Sequence, residues 1–556
     1  MYVDWKDRTI HGSLEYCKNT WGNNLAMIYK DERITYLELQ RRVFQLTQGL
    51  KKIGVKKGTH VSCILTSTPI WGCLYYAIAQ LGAVMVPLNI TWVGREFEQG
   101  LQFTDAEYLI VMEEFRGKNF IEDIAGQVPD FKNGQPGESN IASLPLLKTI
   151  ITVSEVGNKY DFAYDFWDIF NSGADYNTEE MIALGKEVSP HDDFAIMMTS
   201  GSTGFPKPAV HSHESFLLSQ SNLSDCHHYL ETDRFLHFCP TYHVAGTDLY
   251  ISTHLRGGCV VHADFFDAEN CMRIIEKEKI TIMWAFDIMY LMMIRHPRFK
   301  SYDLSSLERI LMGNSPSTWQ EIKDGLKCVH HGNIYGTTES CGSVSHFAWE
   351  DRFDQHRQKW SMGRVLPWWE CKIVDPETGV ELPPNTMGEI IFKGPGLFKG
   401  YYKQPEITAA AIDADGFYHS GDWGYIDEDT FVYFRGRIQD TVKTGGENVS
   451  AKEVEVVLEA ETPWVRTAQV FGVPDQKWGE AVIAMVELKP DASVTEADLR
   501  DYCKGVMANY KVPKRFVFVK SNEWIITLTG KFDKKALRER TMKEWGIEEG
   551  DRANLI

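Results

Sequence analysis

The stretch Thr199-Ser200-Gly201-Ser202-Thr203-Gly204-Phe205-Pro206-Lys207 is where the fold is read. Hydroxyls and glycines alternate and lead through a proline-set turn to a lysine. Glycines let backbone N–H groups approach an anion closely, and the hydroxyls add donors. Lys207 supplies a compact positive charge for phosphate oxygens. The spacing excludes a Walker A loop, because Pro208 stands where that motif needs Ser or Thr after the lysine. A Gly/Ser/Thr run also serves as a plain connection, so the stretch by itself indicates an anion site and no more.

The chain around it has 556 residues, too many for one ordinary core, so at least two domains are expected. Hydrophobic residues make up 43% and charged ones 24%, the composition of a globular protein. The net charge of -19 argues against a nucleic-acid binder. The 11 cysteines are scattered without a C-x-x-C pair, which suits free thiols in a reducing cytosol. The N-terminus lacks the apolar run of a signal peptide, and the expected location is cytoplasmic. Pro69 to Ile90 carries no charge, but Gln80, Gly82 and Pro87 break it into a buried helix and a buried strand. No membrane span is expected.

Thr35 and Glu38 read as a capping box opening a helix whose apolar face is Leu39, Val43, Phe44, Leu46, Leu50 and Ile53. Strands are expected at His60–Leu65 and Val84–Pro87, joined by the helix after Pro69 in a parallel crossover. Residues 129–143 read as a surface loop. Beyond about residue 437, strands at 468–473, 481–488 and 515–520 accompany a helix from a second box, Ser493 with Glu496, to about Tyr510. The expectation is an α/β chain: a large multi-subdomain N-terminal α/β domain over 1–437, and a small mobile α+β domain over 438–556.

Further motifs follow the first in order: Gly313-Asn314-Ser315-Pro316, Asn333, Tyr335-Gly336-Thr337-Thr338-Glu339, Ser420-Gly421-Asp422, Gly436-Arg437-Ile438-Gln439-Asp440, Lys443-Thr444-Gly445-Gly446 and Thr529-Gly530-Lys531. In this order and spacing the set resembles the adenylate-forming superfamily, which includes acyl-CoA synthetases, nonribosomal peptide adenylation domains and beetle luciferases. The resemblance runs from about Ile34 to Leu537.

The resemblance implies a carboxylate activated by ATP with Mg²⁺ and then transferred to CoA. Thr199 to Gly204 and Lys207 would hold the phosphates, Glu339 the magnesium, and Thr338 the α-phosphate. Tyr335 would stack on adenine beside Gly336, with Asn333 on its edge and Gly313 to Pro316 on its other side. Asp422 would take the ribose hydroxyls, with Arg437 nearby. Lys531 would bridge the carboxylate and the α-phosphate. Gly436 to Asp440 resembles an interdomain hinge, after whose rotation Lys443, Gly445 and Gly446 would face the pantetheine arm of CoA. Asn314, Ser315, Pro208 and Gln439 depart from the usual residues at their positions.

For the acid, Pro240-Thr241-Tyr242-His243-Val244-Ala245-Gly246 resembles the wall of an acyl-CoA ligase pocket. His243 stands there as a carboxylate contact, a gate, or a satisfied structural group. The aspartate that amino-acid-activating relatives place here is missing. Trp284 and Phe286 fall where relatives line the acyl pocket, suggesting a short, medium-chain, alicyclic or aryl acid, although aromatic rings also simply fill cores. The reading is a carboxylate–CoA ligase acting on small molecules. The rivals are a loader of carrier-protein phosphopantetheine, a luciferase-like oxidase and a silent nucleotide-binding scaffold.

Overall fold

The computed structural model describes residues 8–199, 206–312, 316–444, 447–526 and 532–547. Two mixed sheets carry the large N-terminal part. In the first, Leu25–Tyr29, Cys259–His262, Arg234–His237, Ile282–Trp284, Arg309–Met312 and His330–Tyr335 lie side by side and parallel. In the second, Thr149–Val153, Tyr108–Met112, His60–Ile64, Val84–Pro87 and Asp193–Met198 are parallel. Pro208–Ser212 and then Gly400–Tyr401 extend that sheet antiparallel.

Parallel neighbours need a crossover, and helices supply it. Helix Pro69–Leu81 joins His60–Ile64 to Val84–Pro87, so the uncharged stretch is the buried helix and strand expected of it. Gly82, in the left-handed region at φ 63°, ends the helix. Gly72 lets this helix cross Val244–His254, because a Cβ there would lie 2.0 Å from the Tyr250 hydroxyl. Trp71, Tyr75, Tyr76, Phe194, Phe216 and Tyr250 are wholly buried in this core. Among the described residues no helix is long and apolar enough to cross a membrane. All 11 cysteines are free.

An antiparallel sheet of Glu370–Val374, Gly388–Lys393, Tyr418–Ile426 and Val432–Arg437 follows. The chain then enters the small C-terminal part. There Thr441–Thr444 pairs with Glu447–Ser450 and Gly479–Leu488, which is flanked by Val465–Asp475 and Arg515–Phe518.

Three local expectations are corrected. Thr35 caps helix Tyr36–Lys52 by accepting from the Glu38 N–H at 3.2 Å, but Glu38 does not return the bond. Its carboxylate instead accepts from Arg41 and Arg42, and Arg41 above all holds its pKa down at about 2. Two guanidinium partners outcompete one neutral N–H. The second box forms two residues later, from Thr495 and Asp498, and its helix is Glu496–Val506. That register puts Leu499 and Cys503 one turn apart on the buried face. The 129–143 stretch contains a small hairpin, Gly134–Gln135 against Glu138–Ser139.

Candidate active site

Thr199, Trp284 and the turn from Gly336 to Glu339 lie at or just past the carboxyl ends of parallel strands, drawn from both sheets. Open parallel sheets leave a crevice there, because the chain departs to either side. Here it is a cavity of about 1020 Å³, whose wall includes Thr199, Lys207, His243, Thr338, Glu339 and Arg437. Six expected residues separated by up to 238 positions therefore share one space.

The glycine- and hydroxyl-rich loop is closed at its base. Thr199 N–H donates to Lys207 O at 2.9 Å, and Lys207 N–H donates to Thr199 Oγ1 at 3.2 Å. Glu339 sits in a short helical turn, Thr338–Ser340, and is 7% exposed. Its Oε1 accepts from the Tyr401 hydroxyl at 2.7 Å. Burial, and then the Glu339 charge, push the Tyr401 phenol up, so it remains a donor. The Lys207 ammonium lies 5.1 Å from the Tyr401 ring centroid. Among the described residues no group of three or more His, Cys, Asp or Glu could hold a metal unaided. A hard carboxylate beside Lys207 and Thr338 fits an ion that brings its own phosphate and water ligands, as Mg²⁺ does.

Tyr335 and Asp422 are bonded to each other: the Tyr335 hydroxyl donates to Asp422 Oδ2 at 2.7 Å. Asp422 Oδ1 lies 2.9 Å from Arg437 Nε, an ion-pair contact without hydrogen-bond alignment. Burial pushes the Asp422 carboxyl up to about 6, with Arg437 and then Tyr335 pulling the other way. Tyr335 and Asp422 are almost wholly buried just behind the cavity wall, where Gly336, Ser420 and Gly421 face the space. Asn333 is fully buried and off the cavity wall, its amide donating to Gln358 O and Ser361 O while Oδ1 has no hydrogen-bond partner among the described residues.

His243 caps helix Val244–His254, its Nδ1 accepting from the Ala245 N–H at 3.4 Å. Around it the wall turns apolar, with Leu223, Val244, Leu249, Trp284, Phe286 and Ile334. The Trp284 and Phe286 rings meet edge to face, 4.9 Å between centroids.

Not every expected residue reaches the cavity wall. Pro316 is buried at the start of helix Pro316–Leu326, and Lys443 is exposed on the C-terminal sheet. Ser200, Gly201, Ser202, Thr203, Gly204, Gly313, Asn314, Ser315, Gly445, Gly446 and Lys531 lie outside the described residues. Sequence reasoning passed over Tyr401, Tyr418 and the pair Glu389–His419. Glu389 accepts from His419 Nδ1 and from the Gly421 N–H, each at 2.9 Å, and so fixes the turn before Asp422. No local pattern marks these residues, because their partners come from other strands.

Comparison with known proteins bears on the whole chain. The model of the AMP-binding enzyme family matches residues 14–402, and that of the AMP-binding enzyme C-terminal domain matches residues 453–531. YngI of Bacillus subtilis strain 168, named provisionally as an acyl-CoA synthetase, is 31% identical over 550 residues, spanning 97% of this chain and 98% of YngI. The medium-chain acyl-CoA ligase ACSF2, mitochondrial, of Homo sapiens is 28% identical over 530 residues, 93% of this chain and 84% of ACSF2. Among solved structures, ATP-bound MatB from Rhodopseudomonas palustris is similar with a TM-score of 0.81 and 25% identity, over 97% of this chain and 99% of MatB.

Proposed function

We propose, on the premise that this chain belongs to the AMP-binding enzyme family, that it joins a carboxylic acid to CoA through an acyl-adenylate, releasing pyrophosphate and then AMP. The observation that carries this reading is one cavity with two characters. Lys207, Thr338 and Glu339 share it with an apolar wall of Leu223, Leu249, Trp284 and Phe286.

A carboxylate resists attack by a thiol because resonance and charge shield its carbonyl carbon. Transfer to AMP replaces that charge with a good leaving group. Lys207 and the Thr199–Gly204 loop hold the phosphates and the departing pyrophosphate. Thr338 donates to the α-phosphate, and Lys531 bridges the two anions as they meet. Glu339 would hold Mg²⁺, which supplies charge neutralisation on the phosphate oxygens. Asn333, on the strand that ends at Tyr335, would hydrogen-bond the edge of adenine, against which Tyr335 stacks. Asp422 accepts from the ribose hydroxyls. The small domain, 438–556, then turns about Gly436–Asp440, and Lys443, Gly445 and Gly446 face the thiol's path. The nucleophile is the thiol of CoA, so the enzyme's own cysteines take no part.

The acid is short, medium-chain, alicyclic or aryl. Near His243 the wall is hydrocarbon and aromatic, which favours an uncharged acyl group. Trp284→Ala is expected to raise kcat/KM for acids several methylenes longer, relative to the best wild-type acid, by about tenfold or more. Competition assays between paired acids read this shift. An unchanged ranking would remove Trp284 from the acyl wall.

The test of the function is acid-dependent AMP release with ATP, Mg²⁺ and CoA across straight-chain, alicyclic and aryl acids. AMP and acyl-CoA formed in equal amounts with one class of acid is the expected result. Pyrophosphate exchange without acyl-CoA would move the acceptor to carrier-bound phosphopantetheine. ATP binding without turnover on any acid would overturn the enzyme reading.

A further inference from the structure

We infer that Tyr401 is a positioning residue for adenylation: its hydroxyl aims the Glu339 carboxylate while its ring stations the Lys207 ammonium, so the two charges stay apart and ready for ATP. The inference rests on the ligase reading above. Tyr401 lines the same cavity and is 5% exposed. Its Oη donates to Glu339 Oε1 at 2.7 Å, and Lys207 Nζ stands 5.1 Å from its ring centroid. Opposite charges in a poorly solvated cleft attract strongly, and a direct Lys207–Glu339 pair would close the space that phosphates need. Among the described residues Lys207 makes no ion pair, with Glu339 or any other carboxylate. A tyrosine answers both charges at once, a donor edge for the anion and a π face for the cation.

The backbone holds the tyrosine in register with both partners. Gly400–Tyr401 pairs with Pro208–Ser212, the strand that Lys207 leads into, and Ala209 stands opposite Tyr401. Three residues earlier, the Phe398 N–H donates to Glu339 O at 2.7 Å. One short segment is thus bonded to the strand after the lysine and to the turn that carries the carboxylate. Tyr418, whose hydroxyl lies 3.5 Å from that of Tyr401, backs it from Tyr418–Ile426.

The test separates positioning from folding. In Tyr401→Phe the ring remains for Lys207, while the hydroxyl's bond to Glu339 and its longer contact with the Tyr418 hydroxyl are lost. Titration of the enzyme into Mn²⁺–ATP, followed by the paramagnetic resonance of bound Mn²⁺, is expected to show binding about tenfold weaker than wild type, the usual effect of removing a partner that orients a metal-binding carboxylate. In a Glu339→Gln background the same change should add nothing. On one preparation, acid-dependent pyrophosphate exchange should fall while acyl transfer from premade acyl-adenylate to CoA is kept, a ratio independent of the folded fraction. Tyr401→Leu, which also removes the ring, should lower exchange further. Unchanged Mn²⁺ binding, or both half-reactions falling together, overturns the inference. If wild type binds Mn²⁺–ATP yet adenylates no acid, the ligase reading fails, and the Mn²⁺ comparison still judges Tyr401.

Discussion

Replacing Lys531 with alanine is expected to lower acid-dependent pyrophosphate exchange by about a hundred- to a thousandfold, the scale set by removing one preorganised charge stabiliser from a transition state. Acyl transfer from premade acyl-adenylate to CoA should be largely kept, because by then the carboxylate and the α-phosphate are already joined. The reason is electrostatic. Two anions must come within bonding distance, and a cation between them offsets repulsion that a dry cleft magnifies. Among the described residues nearby, Ile526 and Phe532 form an isolated bridge, and the Asp533 N–H donates to Ile525 O at 2.9 Å. Asp533 then caps helix Lys534–Glu544. Lys534 Nζ lies 2.6 Å from Glu455 Oε1, and Glu455 is 1% exposed. Equal loss of both half-reactions in Lys531→Ala would mean that the lysine supports the fold of the small domain rather than the first step.

Asp422→Ala is expected to raise the KM for ATP by about a hundredfold or more while leaving the KM for the acid nearly unchanged. Two charge-assisted hydrogen bonds to the ribose, at about 1.5–3 kcal/mol each, account for that size. Wild-type enzyme should also lose kcat/KM for ATP as pH falls through about 6, where the Asp422 carboxyl takes up a proton. The alanine variant should lack that limb of the profile. The sign follows from burial. The folded protein raises this pKa, so it binds the proton more tightly than the unfolded chain does. The group's contribution to stability is therefore greatest at low pH and is lost as pH rises through about 6. At neutral pH the folded protein holds a buried carboxylate at some cost, relieved in part by Arg437 and Tyr335, and bound ribose would add two more donors. A flat kcat/KM profile between pH 5 and 7 would sink this account of Asp422.

The chain order of the motifs, read as sequence, already named the residues that meet in the cavity: Thr199, Lys207, His243, Thr338, Glu339 and Arg437. It also marked the buried helix and strand within 69–90 and the start of the helix at Tyr36. These were legible because the chemistry is local. A glycine, a hydroxyl or a run of apolar side chains constrains its own few residues whatever surrounds them. Where two local signals competed, locality was not enough. Both Ser493 and Thr495 stand three residues before an acidic side chain, and only the packing of Leu499 and Cys503 chose between them. Glu38 had a backbone N–H and two arginines within reach, and the charged partners won.

The tertiary structure alone decided who answers the buried charges. Glu339 meets Tyr401 from 62 positions away, and Tyr335 meets Asp422 from 87 positions away. Those contacts follow from which strands lie side by side, a choice made by the burial of whole faces and invisible in any short window. The apolar wall beside His243 is of the same kind. Leu223 and Trp284 come from a helix and a strand that meet only after the sheet has assembled. Which chemical groups the protein owns, and the order in which they come, is written in its primary structure alone. Their pairing, and with it the pKa of Asp422 and the setting of Glu339, was decided by strand pairing, because the energy of a buried charge depends on neighbours that only the finished fold supplies.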